Sequence, residues 1–242
     1  MTCLGRGWAL IAGANPNGAG GAYAIAFRKR GINVIATATE ANGLEYLEPE
    51  SGSEEGFLVT LQLDVAISES LAAAVKQVRQ LTDGHLDFLV NISDSAYYVP
   101  LIDADIQQAK KQFDLNVWSP LAVTKAFFPL LRASKGVVVN QAKPTGFLGS
   151  SRPFAGIDSS VQATILSMSS TWRVELEPFG IRVVTLISDD IQAESIDDLT
   201  GDGVSGSSPY FPIKASIVPC SLTLRSRDVT NMELPRRLLT SS

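Results

Sequence analysis

The residues whose types and spacing best suit them to chemistry are the glycines of Gly13-Ala14-Asn15-Pro16-Asn17-Gly18-Ala19-Gly20-Gly21. They follow an apolar run and precede a helical pattern that starts near Ala22. Glycine admits positive φ and lets another group approach the backbone closely. Free N–H groups and the dipole at a helix N-terminus favour an anion, so a strand, a glycine turn and a helix together make a cradle for a pyrophosphate. Gly13, Asn15, Asn17, Gly18 and Gly20 are the candidate contacts. The strict G-x-G-x-x-G spacing is not met, because Tyr23 stands where the last glycine falls, and the loop alone is a weak signal. A metal site is not expected. His85 is the only histidine, and neither Cys3 nor Cys220 has a metal-like neighbour.

Such a loop needs strands and helices to hold it. Short apolar runs at Trp8–Ala12, Ile32–Ala36, Phe57–Leu63, Phe88–Val90, Val137–Val139 and Ile181–Ile187 read as strands buried on both faces. Between them, Leu71, Val75, Val78 and Leu81, and then Val161, Ile165, Met168, Trp172, Leu176 and Phe179, recur at spacings of three and four, which keep them on one helix face. Strands alternating with helices imply parallel pairing through right-handed crossovers, a doubly wound α/β sheet of the Rossmann type. The expected organisation is one domain, with a dinucleotide-binding core over 1–191 and a substrate-loop and carboxyl-terminal segment over 192–242. Ser195–Pro209, rich in Ser, Gly and Asp, reads as a loop.

The 242 residues, 45% hydrophobic and 19% charged, suffice for one large core. A formal net charge of −5 argues against nucleic acid and against an anionic membrane surface, which leaves small molecules as the expected ligands. Two cysteines imply no disulfide framework. No apolar run reaches membrane-spanning length and Met1 to Gly7 lacks a signal-peptide pattern, so a cytoplasmic protein is expected.

Later segments carry a resemblance to the short-chain dehydrogenase/reductase family over roughly residues 5–190. The glycine loop is similar to the family's T-G-x-x-x-G-x-G, with Ala12 for Thr and one residue inserted before Gly18. Leu63-Asp64-Val65 resembles the segment that contacts adenine, and Asp87-Phe88-Leu89-Val90-Asn91 the strand that ends in N-N-A-G. Phe113-Asp114-Leu115-Asn116-Val117 resembles the helix with the family's structural Asn, and Arg173 to Val183 the helix and strand that follow. The resemblance implies a nicotinamide dinucleotide cofactor, with Val65 at the cofactor and Asp64 and Asn91 either at the cofactor or in purely structural roles. Asn116 either serves the active site or bridges backbone groups within its helix. At the end of the second strand, an acid would bind the ribose hydroxyls of NAD. Thr37-Ala38-Thr39-Glu40 offers hydroxyls instead, and Thr37 and Thr39 point to NADP(H) against the opposing charge of Glu40.

In the family a Ser and a Tyr-x-x-x-Lys pair act together, the Tyr passing a proton to or from the substrate oxygen. Aligned with those motifs, this chain has Lys143 at the Ser position, Asp158 at the Tyr position and Gln162 at the Lys position, while Ser188-Asp189 replaces a proline-glycine on the nicotinamide side. No nearby tyrosine stands at a matching spacing. Tyr97 and Tyr98 read as pocket-lining or packing residues. An ionised Asp cannot donate a proton and opposes a developing alkoxide, so plain alcohol and ketone chemistry is disfavoured. Burial pushes a carboxyl toward its neutral form and Lys143 pushes the other way, and the sequence leaves that balance open.

An iminium ion needs hydride alone, and a carboxylate favours it. Two unit charges about 4 Å apart at an effective dielectric near 20 attract by about 4 kcal/mol before desolvation is subtracted. With Asp at the Tyr position, the chain resembles a branch of fungal bifunctional reductase/Diels–Alderases of bicyclo[2.2.2]diazaoctane indole alkaloid pathways. That resemblance implies NADPH reduction of an iminium followed by intramolecular [4+2] cycloaddition, with Asp158, Lys143 and Asn116 at the reacting centre and Gln162 and Ser188 beside the cofactor. The alternative is an inactive cofactor-binding scaffold in which Lys143 and Asp158 merely satisfy each other. The resemblance also implies a homo-oligomer, and Tyr210 to Ser242 shows no clear final helix and strand, which would leave the pocket more open.

Overall fold

Six parallel strands lie in the order β3-β2-β1-β4-β5-β6 in a computed structural model that describes residues 7–15, 18–40, 44, 47, 56–92, 95–146, 153–188 and 204–213. They are β1 (Trp8–Ala12), β2 (Asn33–Ala38), β3 (Leu58–Gln62), β4 (Phe88–Asn91), β5 (Val137–Ala142) and β6 (Arg182–Ile187). Each expected strand is present, with ends displaced by up to three residues. The strand order reverses between β1 and β4, and in such sheets a crevice opens at that point beyond the carboxyl ends. Register brings the last polar residues of the central strands into one row there: Ala12 pairs with both Thr37 and Asn91, and Asn91 pairs with Asn140.

The helices are α1 (Ala19–Arg28), α2 (Ser68–Leu81), α3 (Ile106–Phe113), α4 (Ser119–Ser134) and α5 (Gly156–Leu176). Alternation along each strand divides the core into two layers. Ala9, Ile11, Val34 and Val90 meet Tyr23 and Phe27 of α1, whereas Leu10, Ile35, Leu89 and Val138 meet Ala74 and Val78 of α2 and Val123 and Phe127 of α4. The first half of α5 forms a smaller cluster in which Val161 and Ile165 pack with Val117 and Ala142.

Three expectations need correction. Helix α1 begins at Ala19 rather than near Ala22, because the glycines of the turn continue into its first residues. The outer strands are not buried on both faces. Thr60 and Gln62 of β3 and Arg182 and Ile187 of β6 are exposed, since an edge strand has a neighbour on one side only. The buried stripe of α2 is Ala74 and Val78, with Leu71 and Val75 half-buried, while Leu81 in the last turn is exposed and Phe179 beyond α5 packs edge-on against Phe128.

Residues 204–213 fold back on the segments that lead into α3 and α5. Ser208 Oγ donates to Asp103 Oδ2, and Tyr210 meets Phe154 edge-on at 5.8 Å. The boundary expected at residue 191, Asp189, and the carboxyl-terminal residues from 214 lie outside the described residues.

Candidate active site

The glycine turn is built by contacts that only glycine allows. Gly13 has φ +96°, and a Cβ on Gly20 would fall 2.2 Å from the Gly13 carbonyl oxygen and 2.7 Å from Ala14 Cα. The start of α1 therefore rests directly on the turn. Ala14 N–H donates to the Thr37 carbonyl (2.7 Å) and Gly18 N–H to the Asn15 carbonyl (3.2 Å), which ties the turn to β2 and closes it on itself. Gly18, the residue before α1, has no side chain to cap the first turn, and a helix N-terminus of this kind favours an anion. A pyrophosphate fits this cradle in shape and in donor chemistry. Asn17 lies outside the described residues.

A cleft of about 270 Å³ runs from this turn across the carboxyl ends of the strands. Gly13, Asn15, Thr37, Thr39, Val65 and Asn91 line it, with Asn116 on the far wall. The lining divides the expected residues by role. The Thr37 hydroxyl is buried and donates to the Ile11 carbonyl at 3.0 Å, so its one proton is engaged within the sheet. Thr39 is exposed at the rim of the cleft. Asp64 is not among the lining residues. Its Oδ1 accepts from Ala66 N–H and its own N–H donates to Ser70 Oγ, so it shapes the turn into α2. Asn91 spends both Nδ2 protons on Thr124 Oγ1 (3.2 Å) and Asn140 Oδ1 (2.8 Å), and Asn140 donates onward to Ser169 Oγ at 2.9 Å.

Asn116 lies in a π-helical turn, Asp114–Trp118, between α3 and α4. It is buried, and its Nδ2 donates to the Ser95 carbonyl (2.9 Å) and to Gln112 Oε1 (3.1 Å). It holds the loop after β4 against α3. A π turn of this kind widens the helix locally and is frequent at functional sites.

The three substituted positions converge at the end of β5. The short turn Pro144–Gly146 lies so close to α5 that a Cβ on Gly146 would come within 2.7 Å of the Gln162 backbone. This brings Lys143 beside the first turns of α5, where Asp158 and Gln162 are four residues apart on the same face. The backbone N–H of Lys143 donates to Gln162 Oε1 at 2.9 Å, and Lys143 Nζ stands 3.8 Å from Asp158 Oδ1. Asp158 is 2% exposed and Lys143 15%, so the pair is largely out of water. The carboxylate is thus engaged by an ammonium from within the chain, which weakens the field it offers a cationic substrate. Ser188 Oγ accepts from Gln141 Nε2 at 2.9 Å, a placement next to the strand end that Lys143 continues.

One residue that the motifs did not single out belongs to this corner. Lys143 Nζ donates to Tyr98 Oη at 3.3 Å. Tyr98 comes from the loop after β4, and only the adjacency of β4 and β5 brings it to Lys143. No spacing along the sequence announces a contact between residues 45 apart. Its neighbour Tyr97 serves the loop, its hydroxyl accepting from Asp105 N–H at 3.1 Å.

Comparison with known proteins agrees with this architecture. The family model described as short chain dehydrogenase matches residues 7–199. The short-chain dehydrogenase ptmH of Penicillium ochrochloron is 34% identical over 184 residues, 76% of this chain and 65% of its own, so the chain spans less than two thirds of that relative. The NADPH-dependent 1-acyldihydroxyacetone phosphate reductase of Schizosaccharomyces pombe is 31% identical over 215 residues, 86% of this chain and 69% of its own. Among solved structures, a short-chain dehydrogenase from Streptomyces avermitilis superposes with a TM-score of 0.74 at 24% identity, covering 93% of this chain and 80% of that one. A metagenomic short-chain oxidoreductase in complex with NADP gives 0.68 at 22% identity, covering 78% and 84%. The sheet order, the glycine turn beneath a cleft at the strand reversal and the match over residues 7–199 place this chain in the short-chain dehydrogenase family.

Proposed function

We propose that the chain is an NADP(H)-dependent oxidoreductase that reduces a carbon–nitrogen cation. Bound NADPH supplies a hydride from its nicotinamide ring. The turn from Gly13 to Gly20 and the start of α1 hold the pyrophosphate, Val65 and Asn91 flank the cleft, and the Thr39 hydroxyl at the rim receives the 2′-phosphate. The yeast relative named as NADPH-dependent and the neighbour in complex with NADP support the same cofactor.

The observation that carries the reading is the buried carboxylate of Asp158 at the position where the family places its proton donor. An anion there cannot protonate an alkoxide, whereas an iminium carbon takes hydride without a proton and is attracted to the carboxylate. The Lys143 ammonium beside Asp158 offsets part of that attraction, so the benefit is less than the roughly 4 kcal/mol of an isolated pair. The finer reading, an intramolecular [4+2] cycloaddition in the same pocket, rests on the sequence resemblance. Cycloaddition requires orientation rather than acid or base, and a pocket that holds both reacting ends supplies it. Pairing of two chains through α4 and α5 accords with Trp118, in the turn just before α4, and Val174, on α5, standing 50% and 69% exposed.

A second reading is favoured by the Lys143–Asp158 contact itself, since two buried charges that satisfy each other are also what an inactive cofactor-binding scaffold would retain. Incubation with NADPH and a prenylated indole dipeptide iminium, followed by mass spectrometry and chiral chromatography, separates the two. A single enantiomer of a bridged product is expected. NADPH binding without reduction, and a racemate equal to the control without protein, would establish the scaffold instead.

A further inference from the structure

We propose that the Ser95 hydroxyl donates a hydrogen bond to an oxygen of the nicotinamide riboside half of bound NADPH, and that Gln112 is the positioning residue that orients it. The proposal rests on the NADPH site of the reading above and not on the identity of the substrate. Ser95 lines the cleft beside Leu115 and Asn116, in the loop that follows β4. Ile92 N–H donates to the Ala12 carbonyl at 3.1 Å, which holds the start of that loop at the reversal of strand order. A dinucleotide bound at such a point spans the crevice, one half on each side. With the 2′-phosphate assigned to Thr39 beyond β2, the side of β4 falls to the nicotinamide riboside.

Hydrogen bonding fixes the polarity of each group. The Ser95 carbonyl can only accept, so the atom of Asn116 that meets it at 2.9 Å is the Nδ2 donor. The same nitrogen meets Gln112 at 3.1 Å, which makes that contact Gln112 Oε1 and leaves Gln112 Nε2 to reach Ser95 Oγ at 3.0 Å. An amide nitrogen has only protons to give, so Ser95 Oγ accepts there and its own proton goes to another acceptor. Among the described residues, Gln112 is the one hydrogen-bond partner of this hydroxyl.

Gln112 and Asn116 are four residues apart and thus on one face where α3 passes into the π turn. Both are buried, so water does not compete for these bonds, while Ser95 is half-buried and within reach of a bound molecule. The Asn116 bond to the Ser95 carbonyl already fastens the loop. What the Gln112 bond adds is a fixed orientation for the hydroxyl of a residue that lines the cleft.

The test is calorimetric titration with NADPH and with adenosine 2′,5′-bisphosphate, which keeps the phosphorylated adenosine and lacks the nicotinamide riboside. Wild-type protein is expected to bind both. Ser95→Ala is expected to weaken NADPH about fivefold, the loss of one neutral hydrogen bond, and to leave the bisphosphate unchanged, whereas Ser95→Thr, which keeps a hydroxyl, is expected to retain most of the NADPH affinity. Gln112→Met removes the amide at similar volume. It is expected to weaken NADPH about threefold when Ser95 is present and hardly at all in the Ser95→Ala background, because its effect passes through the hydroxyl. Unchanged NADPH affinity in Ser95→Ala, or equal losses on both ligands, would overturn the Ser95 contact and leave the cofactor site standing. Losses from Gln112→Met that add to those of Ser95→Ala would overturn the positioning role. Binding of neither ligand by folded wild-type protein would overturn the cofactor site and this contact with it.

Discussion

The N–H of Lys143 donates to Gln162 Oε1 at 2.9 Å, so a fully buried side chain of α5 fastens the end of β5 to the helix that carries Asp158. Gln162→Leu keeps the bulk and removes the acceptor, which strands a buried N–H. The expected loss of stability is about 1–3 kcal/mol, measured by denaturant unfolding. Gln162→Lys is expected to cost more, because it adds an ammonium beside Lys143. For that reason Asp158→Tyr with Gln162→Lys is not expected to create alcohol dehydrogenase activity, and turnover of a plain secondary alcohol by the double variant would show that the corner tolerates the family's pair.

Gly20→Ala tests the cradle. A methyl group there would stand 2.2 Å from a backbone oxygen, and neither turn nor helix can yield without shifting its N–H groups. Overpacking of this kind costs about 1–3 kcal/mol. A lower Tm together with a loss of NADPH affinity of at least about tenfold is expected from thermal scans and fluorescence titration. Unchanged affinity would place the pyrophosphate elsewhere.

Cofactor choice depends on Thr39. The protein is expected to bind NADPH more tightly than NADH, and Thr39→Asp, which sets a carboxylate at the exposed rim, is expected to weaken NADPH by about tenfold or more while leaving NADH little affected. Thr37→Val is expected to act mainly on stability, since its hydroxyl bonds the Ile11 carbonyl. Calorimetric titration of both variants with both cofactors decides the assignment.

Breaking the buried pair separates charge from packing. Lys143→Met leaves the Asp158 carboxylate without its ammonium at 2% exposure and is expected to cost about 3 kcal/mol, of which Lys143→Met with Asp158→Asn recovers a large part. Additive losses in the double-mutant cycle would mean that the two groups do not interact.

The elements and their order were legible because Val, Ile and Leu runs and three-four spacings are local patterns. The glycine turn was legible because its conformation excludes other residues. Position 158 was legible through alignment with the family's motif. The place of Tyr98 beside Lys143 was not, because that partner stands at the end of the next strand in the sheet and the contact exists only once β4 and β5 pair. The same holds for the Thr37 hydroxyl and the Asp64 carboxylate. Each sits in a motif position that points to the cofactor, yet hydrogen bonds to the Ile11 carbonyl and to Ala66 N–H engage them locally, and such competition does not show in residue type.

The row of polar residues across the strand ends bears on how the chain finds its pairing. Thr37, Asn91 and Asn140 share a face with Ile35, Leu89 and Val138, and there Asn91 reaches Thr124 and Asn140 reaches Ser169. A slip of one residue along β4 or β5 would turn an Asn amide to the opposite layer, away from the Thr124 and Ser169 hydroxyls that meet it in the native register. Parallel strands of continuous Val and Leu discriminate poorly between registers, and their pairing is slow because the crossovers are long. The amides therefore act as checkpoints during folding, penalising each misaligned intermediate by a buried, unanswered polar group and so directing a repetitive apolar sheet into a single alignment.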